Sequence, residues 1–211
     1  MKCPLCHGDQ NSIKHTKQDG QVYLDCEFCR LIYMDEAYRL SPQQERAHYE
    51  THNNDISDVR YQNFVSPIVD YISRHVEKGK LGLDYGAGAG PVVSALLIDQ
   101  GFEMKLYDPY FWDEHTSLTF RYDFIVSCEV IEHFYSPANE FDRFKFLLNR
   151  SGVVAMMTEI YHDEIEFKDW YYHRDPTHVC FYRMETFEWI VRNYNFAKLT
   201  RTGPRTIILT N

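Results

Sequence analysis

Positive charge, long apolar runs and a secretion-type leader are what this sequence is short of. Its 211 residues carry 22 lysines and arginines against 31 acids, a formal net charge of −9. That balance argues against a protein that lives by non-specific phosphate contacts. No stretch approaches the roughly 18 consecutive apolar residues that a membrane span needs. The opening MKCPLCHGDQ has none of the apolar character of a signal peptide. A cytoplasmic protein with no membrane partner is expected. At 44% hydrophobic and 25% charged residues, the composition suits one α/β core plus a small appendage.

Six cysteines in such a chain do not read as disulfide staples. Four are ordered instead: Cys3 and Cys6 in CPLC, then Cys26 and Cys29 in CEFC. Two such knuckles about 20 residues apart predict a zinc ribbon, since each CxxC turn aims two thiolates at one ion and two turns complete a tetrahedron. A segment this short has no core of its own without the metal. His7 adjoins the first knuckle and is an alternative ligand, although an all-thiolate site is simpler. Through residue 40 the segment holds Lys2, Lys14, Lys17, Arg30 and Arg39 against six acids. It has no basic stripe with interleaved aromatics, so direct reading of nucleic acid is the weaker expectation. A structural clip or a wall beside the substrate is the stronger one.

After the ribbon, SPQQERAHYETHNNDI predicts a short helix ending near Asn53. DVRYQNFVSPIVDYISRHVEKG then puts Phe64, Ile68 and Ile72, with Val65, Val69 and Val76, at helical spacing. Ser57 or Asp58 can cap its start and Gly79 its end, and Pro67 is a candidate kink. Buried strands are expected at LGLDY, FEMKLYD, YDFIVSC and GVVAMMTEI, alternating with helices from Pro91, after Ser136 and over METFEWIVRNY. Such alternation means a parallel sheet with right-handed crossovers. FAKLTRTGPRTIILT closes the chain as an antiparallel hairpin. Too few residues separate Asp108 from Tyr122 for the helix, strand and helix of a full doubly wound sheet, so one βα unit is missing or reduced to a loop. The expected organisation is a zinc ribbon over 1–40, a helical lead-in over 41–79 and a Rossmann-like core over 80–211.

The chemistry begins at LDYGAGAGP. A dinucleotide fingerprint is G-x-G-x-x-G/A. Gly86, Ala87 and Gly88 fit it, but Pro91 stands at the third position and the extra glycine is Gly90. Asp84, two residues before the first glycine, would oppose a pyrophosphate at the helix start. It suits a ligand with cationic groups, such as the sulfonium and ammonium of S-adenosylmethionine. Asp108, about 20 residues beyond the glycines, is placed to bind ribose hydroxyls.

LDYGAGAGP, LYDPYF, YDFIVSCEVIEHF and WYYHRDPTHVCFYRMETFEWI together resemble the class I S-adenosylmethionine-dependent methyltransferases. More narrowly, they are similar to bacterial members that begin with a CxxC…CxxC zinc ribbon. The resemblance implies a seven-strand-type sheet lacking one strand, with the cofactor across the carboxyl ends of its strands. It places Asp84 and the turn Gly86, Ala87, Gly88 and Gly90 along the methionine part. It puts Asp108 on the ribose, Pro109 and Tyr110 beside the adenine, and Cys128 and Glu129 facing the cofactor. From the segment before the core, Tyr49, His52, Asn53, Arg60 and Tyr61 are candidates to close the cofactor side, Tyr61 foremost.

Methyl transfer to an oxygen, nitrogen or carbon acid also needs a proton removed, and histidine is suited to that task. His133, in EVIEHF just past a strand end, and His178, in DPTHV on the long aromatic loop, are the catalytic candidates. The competing role for His178 is to brace Asp175. His162 and His173 read as surface-loop residues. Trp170, Tyr171, Tyr172, Phe181 and Tyr182 suggest an aromatic lid over a small acceptor. The leading function is therefore methylation of a small molecule or saccharide, with S-adenosylmethionine and Zn2+ as cofactors. An RNA acceptor read by the ribbon, or a zinc protein that binds the cofactor without turnover, are the alternatives. A nicotinamide-dependent oxidoreductase fails at Asp84, Gly90 and Pro91.

Overall fold

A computed structural model of the chain describes residues 2–17, 20–51 and 55–211. Of the residues singled out above, His52 and Asn53 lie outside them. The segment 2–34 forms strands β1 (Asn11–Thr16), β2 (Val22–Cys26) and β3 (Ile32–Met34). Helix α1 (Pro42–Tyr49) starts with a capping box in which Ser41 and Gln44 satisfy each other's backbone donors. It ends at Tyr49, short of the expected Asn53.

Helix α2 (Val59–His75) is capped by the Asp58 side chain and buries Val65, Ile68, Val69 and Ile72 of the expected stripe, with Phe64 and Val76 partly buried beside them. It runs on through Pro67. The proline removes the amide that would reach the Asn63 carbonyl, and the Ser66 hydroxyl donates to that carbonyl instead at 2.9 Å. A neighbouring side chain thus absorbs the proline.

The core continues as β4 (Leu81–Tyr85), α3 (Val92–Asp99), β5 (Glu103–Tyr107), β6 (Tyr122–Cys128), α4 (Pro137–Leu147) and β7 (Leu148–Met157). Then come the two-residue β8 (Cys180–Phe181), α5 (Met184–Asn193), β9 (Lys198–Arg201) and β10 (Thr206–Thr210). The main sheet has the order β5-β4-β6-β7-β10-β9. Its first four strands are parallel, and β10 is antiparallel to both β7 and β9. This is the mixed α/β arrangement the alternation implied. Strand β5 is an edge, and the chain returns from it to β6 through a single 3-10 turn, His115–Thr119. The reduced βα unit is this loop. Ser136 makes no side-chain cap for α4; its carbonyl takes the amides of Asn139 and Glu140.

Alternation along the strands sorts the core into two layers. Phe124, Val126, Ala155 and Ile208 face α2 and α3, packing against Ile68, Ile72 and Leu97. Ile125, Val154, Met156, Ile207 and Leu209 face the opposite way, toward Phe141, Phe144, Phe187 and Ile190 of α4 and α5. That second layer is continuous with the N-terminal segment, for Cys3, Leu5, Cys26, Leu31 and Tyr33 belong to the same buried cluster. The N-terminal sheet itself has the order β1-β2-β3-β8, so the loop after β7 supplies its fourth strand. Arg183 locks the join. It donates to both Asp25 carboxylate oxygens at 3.0 and 2.6 Å and to the Arg30 carbonyl at 2.7 Å.

Candidate active site

At the carboxyl ends of β4, β5 and β6 lies a cleft of about 750 Å³. Most of the cofactor-side candidates converge on it: Asp84, Gly86, Ala87, Gly88, Gly90, Asp108, Pro109, Tyr110, Cys128, Glu129, Tyr49 and Tyr61 line its walls, as do His133 and His178, whereas Arg60 is exposed and does not line it. Parallel strands explain the convergence, because their ends open side by side where the connecting loops diverge.

The glycine turn is shaped by two residues with positive φ, Gly86 at +87° and Gly88 at +61°. A Cβ on Gly86 would also lie 2.4 Å from a Val130 methyl. Asp108 ties this turn to the one after β5. Its Oδ2 accepts from the Gly88 amide at 3.0 Å, and its Oδ1 from the amides of Tyr110 and Phe111 at 2.9 and 3.2 Å. Trp112 completes the link by donating its ring N–H to the Gly88 carbonyl at 2.7 Å. The short connector therefore supplies a wall of its own, which composition alone did not signal.

Asp84 is buried and accepts from the Ser94 hydroxyl at 2.8 Å. Burial pushes its pKa up to about 6. Among the described residues no lysine or arginine forms an ion pair with it; a cationic ligand group would neutralise it. Cys128 closes the end of β6, and burial, then the charge of Glu129, push its thiol well above the ordinary range. It is thus a neutral wall residue. Glu129 adopts a left-handed φ of +53°, pairs with Arg205, and accepts from the Tyr172 hydroxyl at 3.1 Å.

Two acids in the region escaped sequence reasoning. Glu45 of α1 is buried in the cleft wall, where it accepts from Tyr49 at 3.1 Å and from Tyr110 at 2.6 Å. A polar helix with one inward acid leaves no periodic trace. Glu132, three residues after Glu129, is fully buried; Thr158 donates to its Oε2 at 3.1 Å and Tyr172 to its Oε1. Burial raises the pKa of both Glu129 and Glu132, and the charge of Glu132 adds to the rise at Glu129.

The two histidines stand together, ring centroids 4.7 Å apart. His133 Nδ1 is 3.1 Å from the Thr177 carbonyl and His178 Nδ1 is 2.7 Å from the Tyr172 carbonyl. A carbonyl only accepts, so both Nδ1 atoms carry the proton and both Nε2 atoms present a lone pair. Burial, joined by the neighbouring ring, pulls His178 down to about 3, and burial lowers His133 as well. Asp175 is braced by Thr177 and by His48 at 3.2 Å rather than by the His178 ring.

The aromatic lid is not observed. None of Trp170, Tyr171, Tyr172, Phe181 and Tyr182 lines the cleft; all but the exposed Tyr171 pack into the core. Of that loop, Asp175 and His178 reach the opening. His162 is exposed, whereas His173 is buried with its ring stacked on Phe167.

In the N-terminal segment, the Sγ atoms of Cys3, Cys6, Cys26 and Cys29 all lie within 4.8 Å of one another. Cys3 and Cys29 are 3.5 Å apart, and Cys6 and Cys26 3.4 Å. Zinc–sulfur bonds of about 2.3 Å put the corners of a tetrahedron about 3.8 Å apart, so the four thiols fit that ion. The residues after each knuckle's turn, His7 and Arg30, have positive φ, 60° and 62°, and His7 is exposed, outside the cluster. Among the described residues, no helix is long and apolar enough to cross a membrane.

Residues 57–201 match the family model described as a methyltransferase domain. None of the curated proteins matches the sequence. Among solved structures, the chain is similar to the 1,6-didemethyltoxoflavin-N1-methyltransferase of Burkholderia thailandensis, solved with bound 1,6-didemethyltoxoflavin and S-adenosylhomocysteine. That likeness has 14% identity and a TM-score of 0.57 over 94% of this chain and 98% of that one. An O-methyltransferase family protein from the same organism aligns at 14% identity and TM-score 0.56, over 83% of this chain. The chain spans 63% of that protein's length. The magnesium protoporphyrin IX methyltransferase of Synechocystis PCC 6803, bound to S-adenosylhomocysteine, aligns at 13% identity and TM-score 0.50, over 81% of this chain and 94% of that one. At such identities the likeness is one of fold.

Proposed function

We propose, because this chain belongs to the methyltransferase-domain family, that it transfers a methyl group from S-adenosylmethionine to a small-molecule acceptor. One observation carries the choice of cofactor: the uncompensated, buried Asp84 at the mouth of a glycine turn, with Asp108 across from it in the same cleft. A pyrophosphate would meet like charge there; a ligand carrying an ammonium and a sulfonium meets the opposite one. The solved relatives that hold S-adenosylhomocysteine support the same assignment.

In this reading Asp84, Gly86, Ala87, Gly88 and Gly90 receive the methionine part. Asp108 receives the ribose, with Pro109 and Tyr110 along the base, and Cys128, Glu129 and Tyr61 complete the wall. When bound, the cofactor supplies a carbon already activated by positive sulfur. That carbon would be open to in-line attack by the acceptor, with the carbon–sulfur pair leaving on sulfur and the acceptor's proton passing to a base or to water. The protein's part is alignment, exclusion of water and handling of the acceptor, for which His133 and His178 are the groups at hand. Cys3, Cys6, Cys26 and Cys29 would hold one Zn2+ that stiffens the N-terminal sheet. The Tyr23 hydroxyl of that sheet donates to the His178 carbonyl at 3.0 Å, so a stiffened sheet steadies the acceptor side. The acceptor is small because the cleft is acid-lined and the chain carries no cationic excess for a nucleic acid.

Calorimetric titration of the zinc-loaded protein with S-adenosylhomocysteine, with NADH as comparison ligand, tests this. Micromolar binding of the first alone is expected, weakened about tenfold or more in Asp84→Asn, since tenfold corresponds to about 1.4 kcal/mol. Binding of NADH, or of neither ligand, removes the reading.

A further inference from the structure

We propose that Glu132, His133 and His178 bind a divalent transition-metal ion on the acceptor side of the cleft. One ligand atom from each lies within 4.8 Å of the other two, and His178 Nε2 is 4.0 Å from Glu132 Oε1. Bonds of about 2.1 Å put neighbouring ligands roughly 3.0–3.5 Å apart, so closing the triad asks for side-chain shifts of an ångström or less. Two neutral imidazoles and one carboxylate form the donor set that holds first-row ions with positions left open.

Three further features fit ligation better than a proton-transfer pair. Both imidazoles donate Nδ1–H to backbone carbonyls, those of Thr177 and Tyr172, the support that metal-bound histidines use to fix tautomer and ring plane. Among the described residues, no hydrogen bond reaches either Nε2, so the two lone pairs have no protein donor. Glu132 is fully buried, and among the described residues no lysine or arginine forms an ion pair with it. Thr158 and Tyr172 hold its oxygens, and Arg205, paired with Glu129, acts on it from a distance. On the same wall, Glu129 Oε1 is buried without a partner. A buried carboxylate held by hydroxyls, with no ion-pair partner of its own, is a costly arrangement, and a cation at the triad would relieve it.

The ion's presence can be tested independently; its service to the reaction rests on the methyl-transfer reading. Open positions facing the cleft would take a hydroxyl of the acceptor and lower its pKa, as metals do for bound water. The O–H proton leaves to solvent, the oxygen bonds to the methyl carbon, and the carbon–sulfur pair goes to sulfur. The acceptor class is then a small molecule with a hydroxyl beside a second oxygen, able to chelate.

Manganese titration of the full chain with its ribbon zinc in place is the test, free Mn2+ being followed by electron paramagnetic resonance. Mn2+ is hard and does not displace zinc from four thiolates, so the two sites are read separately. Zinc beyond one equivalent is titrated in parallel. One equivalent of Mn2+ or added Zn2+ should bind, at least about tenfold more weakly in Glu132→Gln and in His178→Ala. The milder Tyr172→Phe, which removes a hydroxyl that orients Glu132, should also weaken it about tenfold. Melting temperature and S-adenosylhomocysteine affinity of Tyr172→Phe serve as folding controls. Absence of binding by both ions, or affinities unchanged in all three variants, overturns the site. Protein that binds S-adenosylhomocysteine and no metal keeps the methyl-transfer reading and loses this one; metal binding without S-adenosylhomocysteine does the reverse.

Discussion

Asp84 shows how one residue trades stability for binding. Its carboxyl sits in the folded protein at about 6, raised by burial, against about 3.9 in an unfolded chain. A raised value means that the folded state holds the proton more tightly. The associated stability is therefore complete below about pH 4 and is lost as pH climbs through 6, a loss of about 3 kcal/mol by linkage. Asparagine has no charge to bury and can keep the Ser94 hydroxyl bond. Without cofactor, Asp84→Asn should melt above the parent protein at pH 7.5, and the gap should shrink toward pH 4. Melting curves across that range decide it, and parallel pH profiles for the two proteins would refute the argument. The same change weakens cofactor binding, so stability and function move in opposite directions at this position.

At the scale of elements, the turn from β4 to α3 is the most exacting piece of backbone. Gly86 needs a positive φ, +87°, and its missing Cβ makes room for Val130. Gly86→Ala should cost about 2 kcal/mol or more, the left-handed penalty alone being 1–2. Adding Val130→Ala should recover the steric part and leave the conformational part. Urea unfolding of the single and double variants separates them, and a single variant as stable as the parent contradicts the geometry. This turn could be read from LGLDYGAGAGP because its determinants are neighbours in the chain. So could α2, whose apolar spacing survives Pro67, and the closing hairpin around Gly203 and Pro204. The aromatic loop could not. Trp170, Tyr172, Phe181 and Tyr182 have the composition of a lid, but β8 draws the loop into the N-terminal sheet and turns those rings inward.

For the molecule as a whole, the important fact is that the N-terminal segment and the core share one buried layer. Asp25 and Arg183 join them, each side chain only 3% exposed. Removing one partner of a buried pair typically costs about 3–5 kcal/mol, and among the described residues Arg183 would then keep only the exposed Asp163 as an ion-pair partner, 3.4 Å from its Nε. Asp25→Asn should lose stability of that order, whereas replacing both residues by apolar side chains of similar volume should recover most of it. A double-mutant cycle in chemical unfolding measures the difference. A single variant within about 0.5 kcal/mol of the parent would mean that the pair does not couple the two parts.

Local chemistry, then, was legible in the order of residues: the CxxC knuckles, the glycine turn and its two acids, the strand–helix alternation, and the shortened connector after Asp108. Each depends on residues a few positions apart, and the periods of helix and strand project them onto the same face or turn. What only the folded chain decided are meetings between distant segments. Glu45 of α1 reaches Tyr110 beside the glycine turn, the short strand within the aromatic loop completes the N-terminal sheet, and His178 comes to rest against Glu132 and His133. A lone histidine or an inward acid has no period. Its partner is chosen by how whole layers pack, and that choice is made only once the layers exist.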